Sequence, residues 1–137
     1  MADIEDRPPG AAGTVVREAH FPGRAPIDAY GNGGFRFADM SHRGSILCLP
    51  SGIYAWPVDR HEDISVASLQ RVLEEADAIE VLLVGTGADL VPLPPELKAA
   101  LRERDVASDP MGTGAAVRTF NVLLSEERAA AAALIAV

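Results

Sequence analysis

The chain has 137 residues, a formal net charge of −8 and 48% hydrophobic residues. This length suits one domain that buries its core without disulfides or a structural metal. The acidic balance, with basic residues scattered singly, opposes the basic patch that nucleic acids and anionic membrane surfaces require. We therefore expect no nucleic-acid partner.

The N-terminal sequence and the cysteine content predict a cytoplasmic protein. Residues 1–15 are rich in Pro, Gly and charge, so we expect a disordered or loosely attached segment before a single α/β domain of residues 16–137. This segment lacks the apolar core of a signal peptide. The longest apolar run, 129–137, is far short of the roughly 20 residues that span a bilayer, so we expect no direct membrane insertion. Cys48 is interpreted as a buried hydrophobe in a strand rather than a reactive thiol.

The first half of the chain predicts two β-hairpins. Residues 27–30 and 35–38 flank an Asn-Gly cluster, and residues 45–49 and 53–56 flank a Pro-Ser-Gly turn. Between them, residues 39–44 are polar and predict a connection without strand structure.

The second half alternates between helical and strand patterns. Apolar residues recur at helical spacing from Val66 to Ala76, and Ser65 before them is a candidate N-cap. The uninterrupted run 80–84 precedes a glycine turn and predicts a buried parallel strand. Pro94 suits the first turn of a second helix, and residues 106–107 predict a brief strand. This alternation predicts an α/β fold.

The stretch 109–124 predicts the helix around which the candidate site is built. It opens with turn residues, and Thr113 is a plausible N-cap that would leave the following amides unpaired. Apolar residues on more than one side of this helix predict burial. Gly114, Arg118 and Asn121 share a single polar line, because residues three and four apart are neighbours on a helix.

The glycine turn at residues 85–87 is a candidate ligand-binding element. Such a turn lets the backbone approach a ligand closely, and in dinucleotide-binding folds it cradles a pyrophosphate. The third glycine and the immediate helix of that motif are missing here, which opposes a nucleotide site. The alternative interpretation is a tight exit from the strand.

Arg118 has two alternative interpretations. Exposed amides around Gly112 and Gly114, with a guanidinium one turn later, could bind a small anion. Alternatively, Arg118 pairs with an internal carboxylate, either Asp89 or Asp109. The sequence leaves both alternatives open.

The sequence nominates no catalytic, metal-binding or cofactor-binding residues. His20, His42 and His61 do not lie at a paired metal-ligand spacing. No serine lies in a Gly-x-Ser-x-Gly motif. We therefore expect no metal and no cofactor.

The chain resembles a known family over about residues 25–137, most specifically in its second half. A hydrophobic strand leads into the glycine turn, then prolines and a short helix, and finally a motif that consists of Met111, Thr113, Ala115, Ala116, Arg118, Thr119, Phe120, Asn121 and Leu123. This pattern resembles a conserved domain of unknown function whose mitochondrial member is an assembly factor of respiratory complex I. Tyr and Gly are the commoner family residues at the positions of Phe120 and Glu127, so this chain departs from the family pattern there and lacks a phenol hydroxyl at position 120.

The resemblance implies a fold and a class of function. The fold has three layers: a central mixed sheet, helices packed on it, and an additional β layer from the N-terminal half. The alanine-rich segment 130–135 is then a strand, against its helical propensity. The function implied is non-enzymatic protein interaction or assembly, with an unidentified protein partner.

The alternative is a protein that binds a small anion or another small molecule, or an unrecognised enzyme, with a pocket between Gly85–Gly87 and Gly112–Asn121. The binding candidates for partner or ligand are Gly85, Thr86, Gly87, Met111, Thr113, Gly114, Arg118 and Asn121.

Overall fold

The computed structural model describes residues 21–137, so the predicted segment 1–15 lies outside the described residues. The strands are β1 (Phe21–Pro22), β2 (Ala29–Gly31), β3 (Gly34–Phe37), β4 (Met40–Arg43), β5 (Ile46–Leu49), β6 (Gly52–Ala55), β7 (Val81–Gly85), β8 (Ala107–Met111) and β9 (Ala130–Leu134). The α-helices are α1 (Gln70–Glu74), α2 (Pro95–Glu103) and α3 (Thr113–Ser125).

Six strands form the central mixed sheet in the order β1-β6-β5-β9-β7-β8. Strand β7 runs parallel to both β8 and β9, as the uninterrupted apolar run predicts. Strand β9 also pairs with β5 in the antiparallel sense. The parallel half of the sheet therefore places the carboxyl ends of β7, β8 and β9 at one edge.

Both predicted hairpins are present, but the connection between them is not a loop. The first hairpin is β2–β3, with positive φ angles at Asn32 and Gly33, as a two-residue hairpin turn requires. The second hairpin is β5–β6. The prediction of a polar connection was wrong, because Met40–Arg43 form β4 against β3. The sequence of β4 is polar because the exposed residues Ser41 and Arg43 alternate with the buried His42.

The helical region after Ser65 is shorter and more broken than predicted. Its α-helical part is confined to α1, with a 3-10 turn on each side. The hydroxyl of Ser65 accepts a hydrogen bond from the N–H of Ser68 at 3.1 Å, so Ser65 does satisfy a backbone donor there. The apolar residues at helical spacing point inward, since Leu69, Leu73 and Ala76 are buried.

Three details of the region around α3 differ from the prediction. Asp109–Met111 are not turn residues but the second half of β8, paired with β7. The N-cap is Gly112 rather than Thr113, which is the first helical residue. The predicted burial on more than one side was also wrong, because Val122 is 54% exposed.

Successive side chains of the central strands point to opposite faces of the sheet, which divides the core into two halves. Leu82 and Val84 of β7 face α1 and α2, whereas Leu83 faces α3 and the small sheet β2-β3-β4. Phe35 and Phe37 of the small sheet join this second half of the core. The predicted three-layer arrangement, with helices on a mixed sheet and a β layer from the N-terminal half, is therefore confirmed.

The alanine-rich segment is a fully buried strand, as the resemblance implies. Residues 130–134 form β9 in the middle of the sheet, and every one of them is buried. Alanine suits this central position because α3 packs closely over one face of the sheet and the opposite half of the core covers the other. Tertiary packing thus overrides the helical propensity of alanine.

Candidate functional site

The glycine turn after β7 is bonded to the junction between β8 and α3. Thr86 is buried, and its N–H donates to the carbonyl oxygen of Met111 at 2.9 Å. The Thr86 hydroxyl donates to the carbonyl oxygen of Asp89 at 2.6 Å and accepts from the N–H of Val91 at 3.0 Å. These bonds hold both ends of the loop that follows β7. The hydroxyl is therefore fully used within the protein.

Thr113 connects three parts of this edge of the sheet. It is completely buried, and its hydroxyl donates to the carbonyl oxygen of Ile135 at 2.8 Å. The same oxygen accepts from the N–H of Gly87 at 3.1 Å, and the Thr113 N–H donates to the carbonyl of Gly87 at 2.8 Å. One side chain thus joins the glycine turn, the start of α3 and the end of β9.

Gly85 is required here by packing. A Cβ at this position would lie 2.9 Å from the Thr113 Oγ1 and 3.0 Å from the Thr113 Cα. The close approach of the glycine turn to the start of α3 is therefore real. It serves contacts within the protein, because hydrogen-bonded backbone and side-chain atoms of Thr113 fill the space.

Tyr30 lies over the start of α3. A Cβ on Gly114 would come within 3.0 Å of the Tyr30 Cζ and closer still to its hydroxyl. The Arg118 Nη1 donates to this hydroxyl at 3.4 Å. The hairpin β2–β3 therefore reaches the polar line of α3, and an exposed aromatic side chain lies beside an exposed guanidinium.

Arg118 does not pair with an internal carboxylate of the described chain. Within residues 21–137, neither Asp89 nor Asp109 lies within 4.0 Å of its nitrogen atoms, and the guanidinium is exposed. The head of Arg118 lies against Tyr30. Of the two alternatives from the sequence, the internal ion pair has no support in the described part of the chain.

Asn121 holds the segment before β2 against α3. Its Nδ2 donates to the carbonyl of Ile27 at 2.8 Å, and its Oδ1 accepts from the Ile27 N–H at 2.9 Å. The amide side chain thus pairs with both backbone groups of one residue, as a neighbouring strand would. This arrangement gives Asn121 a structural role.

The eight sequence candidates therefore separate into two groups. One group joins the glycine turn to the start of α3, and it contains Gly85, Thr86, Gly87, Met111 and Thr113. The other follows the polar line of α3, where Gly114, Arg118 and Asn121 contact the N-terminal β layer. Sequence reasoning missed Tyr30 and Ile27, because their contacts span 88 and 94 residues. The signal that could have found Tyr30 is a large aromatic residue beside a glycine-rich turn.

The remaining reactive residue types are buried or dispersed. Cys48 lies in β5, and burial raises the pKa of its thiol, which opposes a nucleophilic role. Among the described residues, no three His, Cys, Asp or Glu side chains converge as metal ligands. Among the eight sequence candidates, Arg118 thus carries the exposed charged group, and the Tyr30 hydroxyl lies beside it.

Several proteins of known sequence are similar to this chain. An uncharacterised protein from Rhodobacter capsulatus is 40% identical over 87% of this chain and 90% of that protein. Assembly factor 3 of the NADH dehydrogenase [ubiquinone] 1 alpha subcomplex is 34% identical in Mus musculus and 41% identical in Danio rerio. The chain spans 64% and 63% of the length of those two proteins.

Solved structures share the fold. A protein from Bartonella henselae, described as an outer membrane protein, is 65% identical over 85% of this chain and 98% of that one, with a TM-score of 0.83. The Rpa2829 protein from Rhodopseudomonas palustris is 53% identical over 88% of this chain and 89% of that one, with a TM-score of 0.77. A Mth938-like domain from Bordetella pertussis is 30% identical over 82% of this chain and 85% of that one, with a TM-score of 0.73. In residues 21–137, no helix has the length and apolar character needed to cross a membrane.

A family model also matches the chain. The matched residues are 27–135, which include all of the central sheet except β1 and all of α3. The similarity to assembly factor 3 bears out the resemblance inferred from the motif in α3. The chain therefore belongs to the family of proteins of unknown function DUF498/DUF598.

Proposed function

We propose that this protein is a non-catalytic assembly factor that binds a partner protein while a larger complex is built. The observation that carries the proposal is its similarity to assembly factor 3 of NADH dehydrogenase, at 34–41% identity over 80–86% of this chain. The family model spans residues 27–135, which hold nearly all of the described core, so the proposal assigns the binding function to this shared domain.

The chemistry of the site supports binding rather than catalysis. The hydroxyls of Thr86 and Thr113 are used in internal hydrogen bonds, and within residues 21–137 neither is bonded to a histidine or carboxylate that could activate it. What the site offers to other molecules is an exposed arginine and a partly exposed tyrosine, which are common energetic anchors of protein interfaces.

We also propose that the protein acts in the cytoplasm. The free thiol of Cys48 is compatible with a reducing compartment. Cell fractionation with a tagged chain tests this location, and recovery in a membrane or envelope fraction would contradict it.

The assembly function is tested by deleting the gene in its native cell. We expect fully assembled NADH dehydrogenase to fall on native gels, with partly assembled forms accumulating, and to recover when the gene is restored. The matched control is the level of another respiratory complex in the same membranes, which should not change. Unchanged assembly of NADH dehydrogenase in the deletion strain would contradict this function.

A second candidate function is the binding of a small anion at the start of α3. In the described part of the chain, the N–H groups of Gly114 and Ala115 have no acceptor, and Arg118 and the Tyr30 hydroxyl lie beside them. A ligand that binds the native state raises its melting temperature by mass action. Phosphate should therefore raise the melting temperature of the wild type and leave Arg118→Ala unchanged. Equal effects on the two proteins would eliminate the anion site.

A further inference from the structure

We propose that Tyr30, Arg118 and Val122 form a docking surface for a segment of the partner protein that presents a carboxylate between two apolar side chains. The inference rests on the proposed assembly function. It goes beyond that function because it names the surface and the chemistry of the partner that the surface recognises.

The three side chains form a continuous row along α3. The Tyr30 ring lies over Gly114, Arg118 follows four residues later, and Val122 follows after four more. Residues four apart are neighbours on a helix, so this row extends about 12 Å along the axis. Tyr30 is 40% exposed and Val122 is 54% exposed, which makes them two of the few large hydrophobic residues on the described surface. The row is therefore aromatic, then cationic, then aliphatic.

The charged centre of the row is available to an acceptor on another molecule. Arg118 donates to the Tyr30 oxygen, which leaves the phenol proton and the remaining guanidinium protons available to donate. Within residues 21–137, no carboxylate forms an ion pair with Arg118, although the chain has eight more acidic than basic residues. A row of donors flanked by apolar surface is complementary to a carboxylate flanked by apolar side chains.

An alternative docking element is the outer strand β8, and its sequence is unsuited to strand pairing. The bonds from the Ala107 N–H to Glu80 and from the Thr86 N–H to Met111 show that residues 107 and 111 face β7. The backbone groups of Ser108 and Pro110 therefore point toward the open edge of the sheet, where proline has no N–H to donate to another strand. Proline on an edge strand protects it from pairing with other chains. The row on α3 is consequently a better docking surface than the edge of β8.

The test is site-specific photo-crosslinking of the full chain in its native cell. Benzoylphenylalanine is placed at Val122, and in a matched control at Lys98, an exposed residue of α2 on the opposite side of the sheet. We expect a discrete adduct from Val122 and none from Lys98. Mass spectrometry should place the crosslink beside an Asp or Glu of the partner.

Charge reversal then decides whether Arg118 recognises that carboxylate. We expect Arg118→Glu to reduce the Val122 adduct at least tenfold, whereas Arg102→Glu on α2 should leave it unchanged. Replacing the identified partner carboxylate with arginine should restore the adduct of Arg118→Glu. An adduct that is insensitive to Arg118→Glu, or that is not restored by the paired reversal, overturns this proposal.

The control position separates this proposal from the function on which it rests. An adduct from Lys98 without one from Val122 would overturn the docking surface but retain a protein partner. The absence of adducts from both positions, together with normal NADH dehydrogenase assembly in the deletion strain, would overturn both proposals.

Discussion

The phenol of Tyr30 lies so close to Gly114 that the Cβ of any other residue at position 114 would clash with it. Gly114→Ala should therefore displace Tyr30 and separate its hydroxyl from Arg118. The helix gains about 1 kcal/mol from replacing glycine by alanine, which offsets the lost contact, so the free energy of unfolding should change by less than about 1 kcal/mol. NMR signals of the Tyr30 ring and the Arg118 guanidinium should both shift. Unchanged signals for these two side chains would show that the position of the Tyr30 ring does not depend on the glycine at position 114.

Thr113→Val should destabilise the protein although the two side chains have nearly the same shape. The change leaves the carbonyl of Ile135 and the N–H of Gly87 without their buried hydroxyl partner. Each such loss costs about 1–3 kcal/mol, so the midpoint of urea unfolding should fall clearly. Thr113→Ser keeps the hydroxyl and is the matched control. Equal destabilisation by valine and serine would mean that packing, not hydrogen bonding, makes Thr113 important.

Asn121→Asp should loosen the segment before β2 while α3 stays folded. A carboxylate can still accept from the Ile27 N–H, but it cannot donate to the Ile27 carbonyl. Hydrogen exchange at the Ile27 amide should accelerate, and exchange at buried amides of β9 should not. The control is Ser125→Ala, which removes an exposed hydroxyl from the same helix. Protection of Ile27 that survives Asn121→Asp would show that other contacts hold this segment.

His42 should make stability depend on pH. Burial lowers the pKa of this imidazole below 6.5, with a hydrogen bond to the Ser45 backbone acting in the opposite direction. The unfolded chain therefore binds the proton more readily than the folded one, so stability is full above pH 6.5 and is lost as pH falls through the folded value. The unfolding free energy of the wild type should drop between pH 7.5 and 5.5. His42→Gln should remove part of this slope, whereas His61→Gln, a change at an exposed site, should retain it. Identical slopes for all three proteins would contradict the assignment to His42.

Elements that carry their own local signal could be predicted from the sequence. The first hairpin follows from the positive φ that Asn32 and Gly33 readily adopt, and β7 follows from an apolar run between a helix and a glycine turn. Strand β4 could not be predicted, because its pairing with β3 makes Met40–Arg43 extended despite its polar composition. The strand at residues 130–134 followed from the resemblance alone, since alanine by itself favours a helix.

The same holds for the candidate site: its residues could be predicted from local patterns, but contacts with distant parts of the chain could not. The sequence nominated Thr113, Arg118 and Asn121 as binding candidates, and the structure gives each of them a long-range contact. It could not identify the partners of Arg118 and Asn121, because the N-terminal half of the chain comes to α3 only through the three-layer packing. The Tyr30 contact is the clearest example, since 88 residues separate Tyr30 from Arg118 in the chain.

The most direct test of the account is to restore the deletion strain with Arg118→Glu while measuring the melting temperature of the purified variant. Arg118 is exposed and has no ion pair among the described residues, so its reversal should change the melting temperature by no more than a few degrees. Assembled NADH dehydrogenase should nevertheless remain low, whereas Arg102→Glu should restore it. Full assembly with Arg118→Glu, or a melting temperature that falls by ten degrees or more on the scale of a core defect, would contradict the claim that Arg118 acts by binding a partner.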